Sequence, residues 1–229
     1  MPSALTTTWS GVFEAMPLDS STRVLAIRHG ETAWNRDKRI QGQLDVPLNE
    51  TGRAQAQRLG EVLAGESVDV VYSSDLGRAR ETAAAAAAAL GQPVHLDPGL
   101  RERSFGVFQG QTWQEIAERW PDHSERWRRR DPDFGAEGGE TLQEFYARSV
   151  SAVECVLQRH AGQTVLIVTH GGVLDCLYRA ATRLPLQAPR TWTLGNAAIN
   201  RLLFSDAGFT LVGWNDDAHL GGLGLDELA

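Results

Sequence analysis

The sequence predicts an α/β fold, a three-layer α/β/α sandwich built around a mostly parallel central sheet. Short apolar runs of strand length alternate along the chain with longer segments whose apolar residues recur at helical spacing. One run, residues 164–168, is continuously apolar, which is typical of a parallel strand covered by helices on both faces. With 229 residues, the chain is long enough to bury a full core as one domain.

The first half of the chain supplies three strands and two helices. Residues 24–27 have the length and branching of a buried strand. The segment 76–90 contains seven consecutive alanines, which favour a helix, and residues 73–75 are suited to cap it. The predicted elements are, in order, a strand at 24–27, a loop at 36–49, a helix at 53–65, a strand at 68–72, a helix at 76–90 and a strand at 93–96.

The second half continues the alternation and ends in a pair of strands. The predicted elements are a helix at 113–119, a long helix at 141–160, a strand at 164–168, a helix at 173–182 and two closing strands at 200–204 and 209–214, with a polar segment at 121–140 between the first two. Strands that alternate with helices in this way are joined by crossovers, and this arrangement predicts the mostly parallel sheet.

Composition argues against several classes of partner. The net charge of −7 and the pI near 5.4 argue against a nucleic-acid partner. No stretch approaches the roughly 18 consecutive apolar residues that a membrane span requires, so no membrane partner is expected. Cys155 and Cys176 lie in predicted helices without metal-ligand spacing, and we expect both to be buried thiols in a reducing cytoplasm.

The predicted organisation is one domain flanked by two short segments. The boundaries are 1–22 for an N-terminal extension, 23–220 for the domain, about 105–140 for a helical insertion within it, and 221–229 for a C-terminal tail. The extension lacks the basic start and apolar core of a signal peptide. Its Trp9 and Phe13 are candidates to cover a surface groove. A homodimer is compatible with a chain of this size.

Two predicted strands end in a histidine followed by a glycine, as Arg28-His29-Gly30 and His170-Gly171. Ligand crevices of open α/β sheets lie at the carboxyl ends of strands, so neighbouring strands would bring both imidazoles to one crevice. Arg78 falls in the first turn of the helix after a third strand, where free amides also favour an anion. Because guanidinium groups suit phosphate, this pattern predicts a site for a group with about two negative charges.

These residues belong to a set of motifs spread over most of the chain. The motifs are, in order, Arg28-His29-Gly30-Glu31-Thr32, Trp34-Asn35, Ser73-Asp75-Leu76-Arg78-Ala79-Thr82, Leu100-Glu102-Phe105-Gly106 and Val168-His170-Gly171-Gly172. Together they resemble the histidine phosphatase superfamily, whose best-known branch is the cofactor-dependent phosphoglycerate mutases. The resemblance spans residues 24–214 and implies the phosphoglycerate mutase-like fold.

The resemblance implies distinct roles for five catalytic residues. His29 would be the nucleophile that becomes phosphohistidine, while Arg28, Arg78 and His170 would hold the phosphoryl oxygens. Glu102 would protonate the leaving oxygen and then activate water. Phosphoryl transfer needs fixed positive charge and a protonated leaving group, and covalent catalysis divides one hard displacement into two easier ones.

The resemblance also implies which residues line the pocket. Asn35 would help to seat the phosphate, and Thr32, Gln41, Gly42 and Gly171 lie where the family lines its site. We expect no metal and no cofactor, since the chain offers no carboxylate cluster with metal-ligand spacing. The expected partner is a small-molecule phosphomonoester.

Three functions are compatible with these residues, and a metal-independent phosphatase is favoured. Phe105 and Trp113 stand where the mutases carry a tyrosine and a lysine, and the mutases' insertion is short or absent between residues 130 and 140, which favours hydrolysis. Trp127-Arg128-Arg129, by contrast, resembles the substrate-binding arginines of a cofactor-dependent phosphoglycerate mutase. A non-catalytic phospho-ligand binding module is the third alternative, because fold alone does not establish activity.

Some residues carry two interpretations. Glu102 could instead form an ordinary ion pair with its neighbours Arg101 or Arg103. The basic run 128–130 is either a solvated surface or a contact for a second anionic group of the substrate. Three aromatic residues are expected to give the pocket an apolar wall suited to a bulkier leaving group, and they are Phe105, Phe108 and Trp113.

Overall fold

The computed structural model describes residues 21–223, which form a six-stranded mixed sheet with helices on both faces. Predictions about Trp9, Phe13, most of the extension and residues 224–229 lie outside the described residues. The first strand begins at Thr22, the last residue of the predicted extension. Within the described part of the chain, no helix has both the length and the apolar character that crossing a membrane requires.

Thirteen strands and α-helices follow one another in the described residues. They are β1 (Thr22–Arg28), α1 (Ala33–Arg36), α2 (Glu50–Leu63), β2 (Val70–Ser73), α3 (Gly77–Leu90), β3 (Val94–Leu96), α4 (Trp113–Arg119), α5 (Pro121–Arg128), α6 (Leu142–Gln158), β4 (Thr164–Thr169), α7 (Gly171–Thr182), β5 (Ile199–Ser205) and β6 (Gly208–Asp216). The predicted alternation of strands and helices is confirmed, with boundaries shifted by a few residues.

The strand order is β3-β2-β4-β1-β5-β6. The first four strands of this order run parallel, while β5 pairs antiparallel with β1 and β6 antiparallel with β5. The mostly parallel sheet is therefore confirmed. Because β1 and β4 are neighbours with Arg28 opposite Thr169, the residues that follow them emerge side by side at one edge.

Alternate residues of β1 point to opposite faces of the sheet, and both faces are buried. Val24 and Ala26 pack in a core with Val153 of α6 and Leu174 of α7. On the other face, Leu25 and Ile27 pack against α2 and α3, whose contributing residues include Leu59, Leu63, Ala79 and Ala83. These two cores produce the three layers, so the predicted sandwich is confirmed.

The alanine-rich α3 lies close to α2 because both helices carry small residues where they meet. A Cβ added at Gly60 of α2 would lie 2.9 Å from the carbonyl oxygen of Ala85. The prediction that residues 73–75 cap α3 is wrong, since Leu76 is its N-cap residue and makes no side-chain cap bond. Asp75 is instead held by Arg101, and Asp45 accepts from the amide of Gly77.

Residues 105–140 form a small separate core together with Ile40. The polar segment 121–140 contains a helix that was not predicted individually, α5, which begins at Pro121, a residue preorganised for the first helical position. Phe108 is fully buried in this small core rather than in a pocket wall. Phe105 is half-buried and Trp113 is exposed, and each ring lies 4.9 Å from the ring of Trp127.

The two cysteines differ in environment. Cys176 is buried on α7, as predicted, and Cys155 is exposed, so the expectation of burial is wrong for Cys155. Cys155 shares α6 with Val153, Val156 and Leu157, which take the core-facing side of that helix. Both cysteines are free thiols.

Candidate active site

His29 follows β1 and His170 follows β4, two central parallel strands, and the two rings meet at the carboxyl edge of the sheet. The two ring centroids lie 5.1 Å apart in an edge-to-face arrangement. The amide of His29 donates to the carbonyl of Thr169, which extends the β1–β4 pairing past the end of the strands. Both side chains are buried. The close approach that the two strand endings predict is therefore present in the fold.

The hydrogen bonds of His29 define its tautomer. Its Nδ1 lies 2.7 Å from the carbonyl oxygen of Gly30, and Arg78 Nε lies 3.2 Å from its Nε2. A carbonyl can only accept and a guanidinium can only donate, so the neutral ring carries its proton on Nδ1 and a lone pair on Nε2. Burial, followed by the charges of Arg78 and Arg28, holds the pKa of His29 well below its usual value. The ring is thus a neutral nucleophile at Nε2.

Two buried arginines place positive charge close to His29. Arg78 is fully buried, and its terminal nitrogens donate to the carbonyls of Leu44 (2.8 Å) and Gly42 (2.7 Å). Burial lowers the pKa of Arg78 to about 10, which still leaves the side chain charged at neutral pH. Arg28 donates to the carbonyl of Leu194 at 2.7 Å. These backbone contacts fix two positive charges beside His29 and favour binding of an anion.

The carboxyl group of Glu102 is held by two backbone amides. One oxygen accepts from Arg103 N at 2.8 Å, and the other accepts from Gly172 N at 3.0 Å, in the first turn of α7. Burial raises the pKa of Glu102 despite these hydrogen bonds and the nearby arginine charges. A Cβ at Gly172 would lie 2.2 Å from Oε1, so only glycine leaves room for the carboxyl group.

Glu102 does not form the ordinary ion pair considered as its alternative role, because both neighbouring arginines bind other groups. Arg101 forms its ion pair with Asp75 at 2.6 Å. The guanidinium of Arg103 donates to the carbonyls of Phe134 and Glu140. Glu102 therefore keeps a raised pKa close to two arginine charges, an arrangement typical of a residue that exchanges protons.

With this geometry in place, comparison with known proteins identifies the family. Residues 24–217 match the profile of the histidine phosphatase superfamily, branch 1. The chain belongs to the histidine phosphatase superfamily. It is 40% identical over 202 residues to phosphoglycerate mutase-like protein 4 of Arabidopsis thaliana, covering 86% of each chain. It is 38% identical over 207 residues to the metal-independent phosphoserine phosphatase of the same plant, covering 89% of this chain and 85% of that protein.

A solved structure gives the same picture. The native structure of a mycobacterial glucosyl-3-phosphoglycerate phosphatase superposes with a TM-score of 0.77 at 33% identity, covering 86% of this chain and 99% of that one. The protein is thus an enzyme-family member with both phosphatase-named and mutase-named relatives. The family assignment made from the sequence motifs is confirmed.

Four of the other predicted pocket residues of this histidine phosphatase lie between β1 and α2, and the fifth, Gly171, follows β4. Thr32 and Asn35 form a capping box at α1, in which Asn35 Oδ1 accepts from the amide of Thr32 at 3.0 Å. Gln41 is buried, and its Oε1 has no hydrogen-bond partner among the described residues. Gly42 has a φ of 53°, and a Cβ there would lie 2.2 Å from Gln109 Oε1. Gly171 is buried at the start of α7.

The basic run 128–130 divides into two environments. Arg128 and Arg129 both pair with Glu125 on their own helix, and their side chains are 73% and 75% exposed. Arg130 instead donates to Asp175 at 2.6 Å and to the carbonyl of Leu186 at 2.7 Å. The first two residues therefore form a solvated surface, and the third connects the insertion to α7.

Two supporting residues were missed by sequence reasoning. Asn196 is buried and donates from Nδ2 to the carbonyl of His29 at 2.9 Å, while the amide of Ala197 donates to the carbonyl of Arg28 at 3.0 Å. Arg148 of α6 makes five hydrogen bonds, three of them to the segment that carries Glu102 and two to Glu140. It donates to the carbonyls of Gly99, Arg101 and Glu102 and twice to the carboxylate of Glu140. Neither residue stands in a local motif that could have indicated these contacts.

We expect Arg148→Met to lower kcat/KM on alkyl phosphates by about 10²-fold, because small displacements of a catalytic group are costly. Aryl phosphates should be affected less, since their leaving groups need less protonation. Arg148→Lys should not restore activity fully, because a single ammonium cannot reproduce the five-donor contact. Steady-state kinetics on both substrate classes, with thermal unfolding as a check on folding, measure the effect.

The matched control is Arg128→Met, which removes an exposed arginine of the insertion. It should leave both rates unchanged. An equal loss on alkyl and aryl phosphates in Arg148→Met would show that Arg148 stabilises the fold without orienting Glu102.

Of the described residues, none form a cluster of three or more histidine, cysteine, aspartate or glutamate side chains that could hold a metal ion. The charged groups gathered around His29 are guanidinium groups. Metal independence stays a prediction.

Proposed function

We propose that this histidine phosphatase hydrolyses a small-molecule phosphomonoester through a phosphohistidine at His29, without a metal or other cofactor. The observation that carries the proposal is the unprotonated Nε2 of a neutral, buried His29, which accepts a hydrogen bond from Arg78 Nε and lies under the charges of Arg78 and Arg28. A phosphoryl group in this position would have its charge compensated by fixed donors at the atoms where charge accumulates.

In the first step, the Nε2 lone pair forms a bond to phosphorus while the bond to the ester oxygen breaks. Protonated Glu102 gives its proton to that oxygen, so the leaving group departs as a neutral alcohol. Arg78 Nε, which donates to the nucleophile in the unphosphorylated protein, would then donate to a phosphoryl oxygen. His170 and Arg28 would hold the remaining oxygens.

In the second step, the carboxylate of Glu102 takes a proton from water as the water oxygen attacks phosphorus. The P–N bond breaks, its electron pair returns to Nε2, and inorganic phosphate leaves. A raised pKa suits Glu102 for both steps, because the group must be neutral first and charged afterwards.

The test is hydrolysis of a generic aryl phosphate by the purified protein with a metal chelator present. We expect the rate to be the same with and without the chelator, since the charge around the phosphoryl group is supplied by arginines. Addition of Mg²⁺, Mn²⁺ or Zn²⁺ after chelation provides the control. Turnover that disappears with the chelator and returns with a metal would contradict the proposed chemistry, and no turnover on any phosphomonoester would favour the non-catalytic binding module.

Two arginines that resemble the substrate-binding pair of the mutases are exposed to solvent, and this exposure favours a phosphatase over a mutase. Arg128 and Arg129 point to solvent and pair with Glu125. One relative is named a metal-independent phosphoserine phosphatase, which supports hydrolysis, and another is named mutase-like. Incubation with 3-phosphoglycerate and trace bisphosphoglycerate separates the two activities. Rapid formation of 2-phosphoglycerate without free phosphate would establish the mutase instead.

We also propose an apolar rim that contacts the leaving group. The rings of Trp113 and Phe105 both contact the ring of Trp127 in the insertion and offer an aromatic surface. Activity across a panel of phosphomonoesters should therefore rise with apolar leaving groups.

We further propose a cytoplasmic location. The free thiols of both cysteines are typical of a reducing compartment, and cell fractionation tests the location.

A further inference from the structure

Ser74 follows β2 at the same sheet edge as the two active-site histidines. Its amide donates to the carbonyl of Val168 at 3.0 Å, which continues the pairing of β2 with β4. This backbone bond places the Ser74 hydroxyl 2.8 Å from Nε2 of His170. Both residues are fully buried, so this contact is shielded from water.

His170 can carry only one ring proton in this environment. Burial, followed by the charges around it, holds the pKa of His170 well below its usual value. A neutral imidazole has one nitrogen that donates and one that accepts. The contact with Ser74 therefore decides which role falls to Nδ1, the other ring nitrogen.

The two arrangements differ in how many buried polar atoms they satisfy. If Nε2 donated to the Ser74 hydroxyl, the hydroxyl hydrogen would need another acceptor, and its remaining contact is the amide of Leu76 at 3.4 Å, which can only donate. If the hydroxyl donates to Nε2, both Ser74 contacts are satisfied. The proton of His170 then lies on Nδ1, which is buried without a partner among the described residues. Burying unpaired polar groups is costly, so the second arrangement is favoured.

We propose that Ser74 is a positioning residue that fixes His170 as its Nδ1–H tautomer, so that a neutral His170 donates a hydrogen bond to the phosphoryl group. The catalytic part of this statement rests on the proposed function. The opposite tautomer would turn a lone pair instead of a donor toward the anion. Ser74 thus determines whether His170 presents a donor or an acceptor to the anion, although Ser74 itself does not touch the substrate.

The first experiment measures the tautomer directly in the full-length protein. Two-bond ¹H–¹⁵N spectra of imidazole-labelled protein, with His170 assigned by comparison with His170→Asn, distinguish a protonated Nδ1 from a protonated Nε2. We expect Nδ1–H in the wild-type protein near neutral pH. Observation of Nε2–H in the wild-type protein would overturn the proposal, and this result needs no variant of Ser74 to fold.

The second experiment compares Ser74→Ala with Ser73→Ala. Ser73 is an equally buried neighbour whose hydroxyl donates to the carbonyl of Ser74, away from His170. Ser74→Ala should populate Nε2–H and weaken binding of inorganic phosphate and vanadate roughly 10- to 100-fold, the value of one hydrogen bond to a charged group. Ser73→Ala should change neither property. Ser74→Ala with an unchanged tautomer and unchanged anion affinity would overturn the proposal.

The outcome is separable from that of the proposed function. A wild-type Nδ1–H tautomer with Ser74-dependent anion binding, but no phosphohistidine during turnover, would leave this inference standing and end the covalent mechanism. A trapped phosphohistidine together with an Nε2–H tautomer would support the covalent mechanism and overturn this inference about Ser74.

Discussion

His29→Ala is expected to lower kcat by roughly 10⁴-fold or more on every phosphomonoester, because the covalent route requires the nucleophile. No other group can replace Nε2, which lies 3.2 Å from Arg78 Nε. In rapid acid-free quenching with a ³²P-labelled substrate, the wild-type protein should retain one labelled phosphoryl group that is released in acid, as phosphohistidine is. The His29→Ala protein should retain none.

The matched control for this experiment is His95→Ala. His95 is exposed on the edge strand β3, and its replacement should leave turnover and labelling intact. Binding of inorganic phosphate should persist in His29→Ala, since Arg28, Arg78 and His170 remain. Labelling at a residue other than His29, or turnover that survives its loss, would remove the nucleophile from the mechanism.

Glu102→Gln is expected to produce the second largest effect, and the effect should depend on the leaving group. An amide cannot donate the proton that an alkoxide needs, so kcat/KM on alkyl phosphates should fall by about 10²- to 10⁴-fold. On aryl phosphates, kcat/KM should fall far less, because a phenolate departs without help. Water activation remains impaired, so an initial burst of phenol and accumulated phosphohistidine should appear.

The pH dependence gives an independent readout of Glu102. Burial raises its pKa, so the acid form persists to higher pH and is lost as the pH rises through that pKa. Burial lowers the pKa of His29, so the nucleophile stays neutral until the pH falls through that lower value. The kcat/KM profile on alkyl phosphates should therefore be bell-shaped, and Glu102→Gln should remove its basic limb.

The control for Glu102 is Glu118→Gln, which changes an exposed carboxylate on α4 that contacts Gln114. Its kinetics should match those of the wild-type protein. Equal losses on alkyl and aryl substrates in Glu102→Gln, with an unchanged basic limb, would show that Glu102 is not the general acid.

The fold and the central active-site residues could be predicted from the sequence because both depend on local sequence patterns. The strand endings at His29 and His170 required only the period of apolar residues and the rule for parallel sheets. The helix α5 was missed because its sequence is polar, and it is stabilised by the aromatic core that Phe108 and Trp127 build with the rest of the insertion. Tertiary packing stabilises a helix that the polar sequence pattern did not reveal.

The supporting contacts could not be read in the same way. Asn196 reaches His29 across 167 positions of sequence, and Arg148 reaches the carbonyl of Glu102 across 46. A single buried asparagine or a helical arginine has many ordinary roles, and only the folded chain selects one. Ser74 was visible at a strand end, but its hydroxyl partner depended on the order of β2, β4 and β1 in the sheet.

The nucleophile and the acid are anchored in parts of the molecule with different resistance to local opening. His29 continues a central strand that has partners on both sides, so its amide belongs to the hydrogen-bonded region that opens only with the whole domain. Glu102 lies in a segment outside the sheet, held largely by side chains such as Arg148. We therefore expect warming to loosen proton delivery before it disturbs the phosphoryl acceptor, so that slow leaving groups lose turnover at a lower temperature than fast ones.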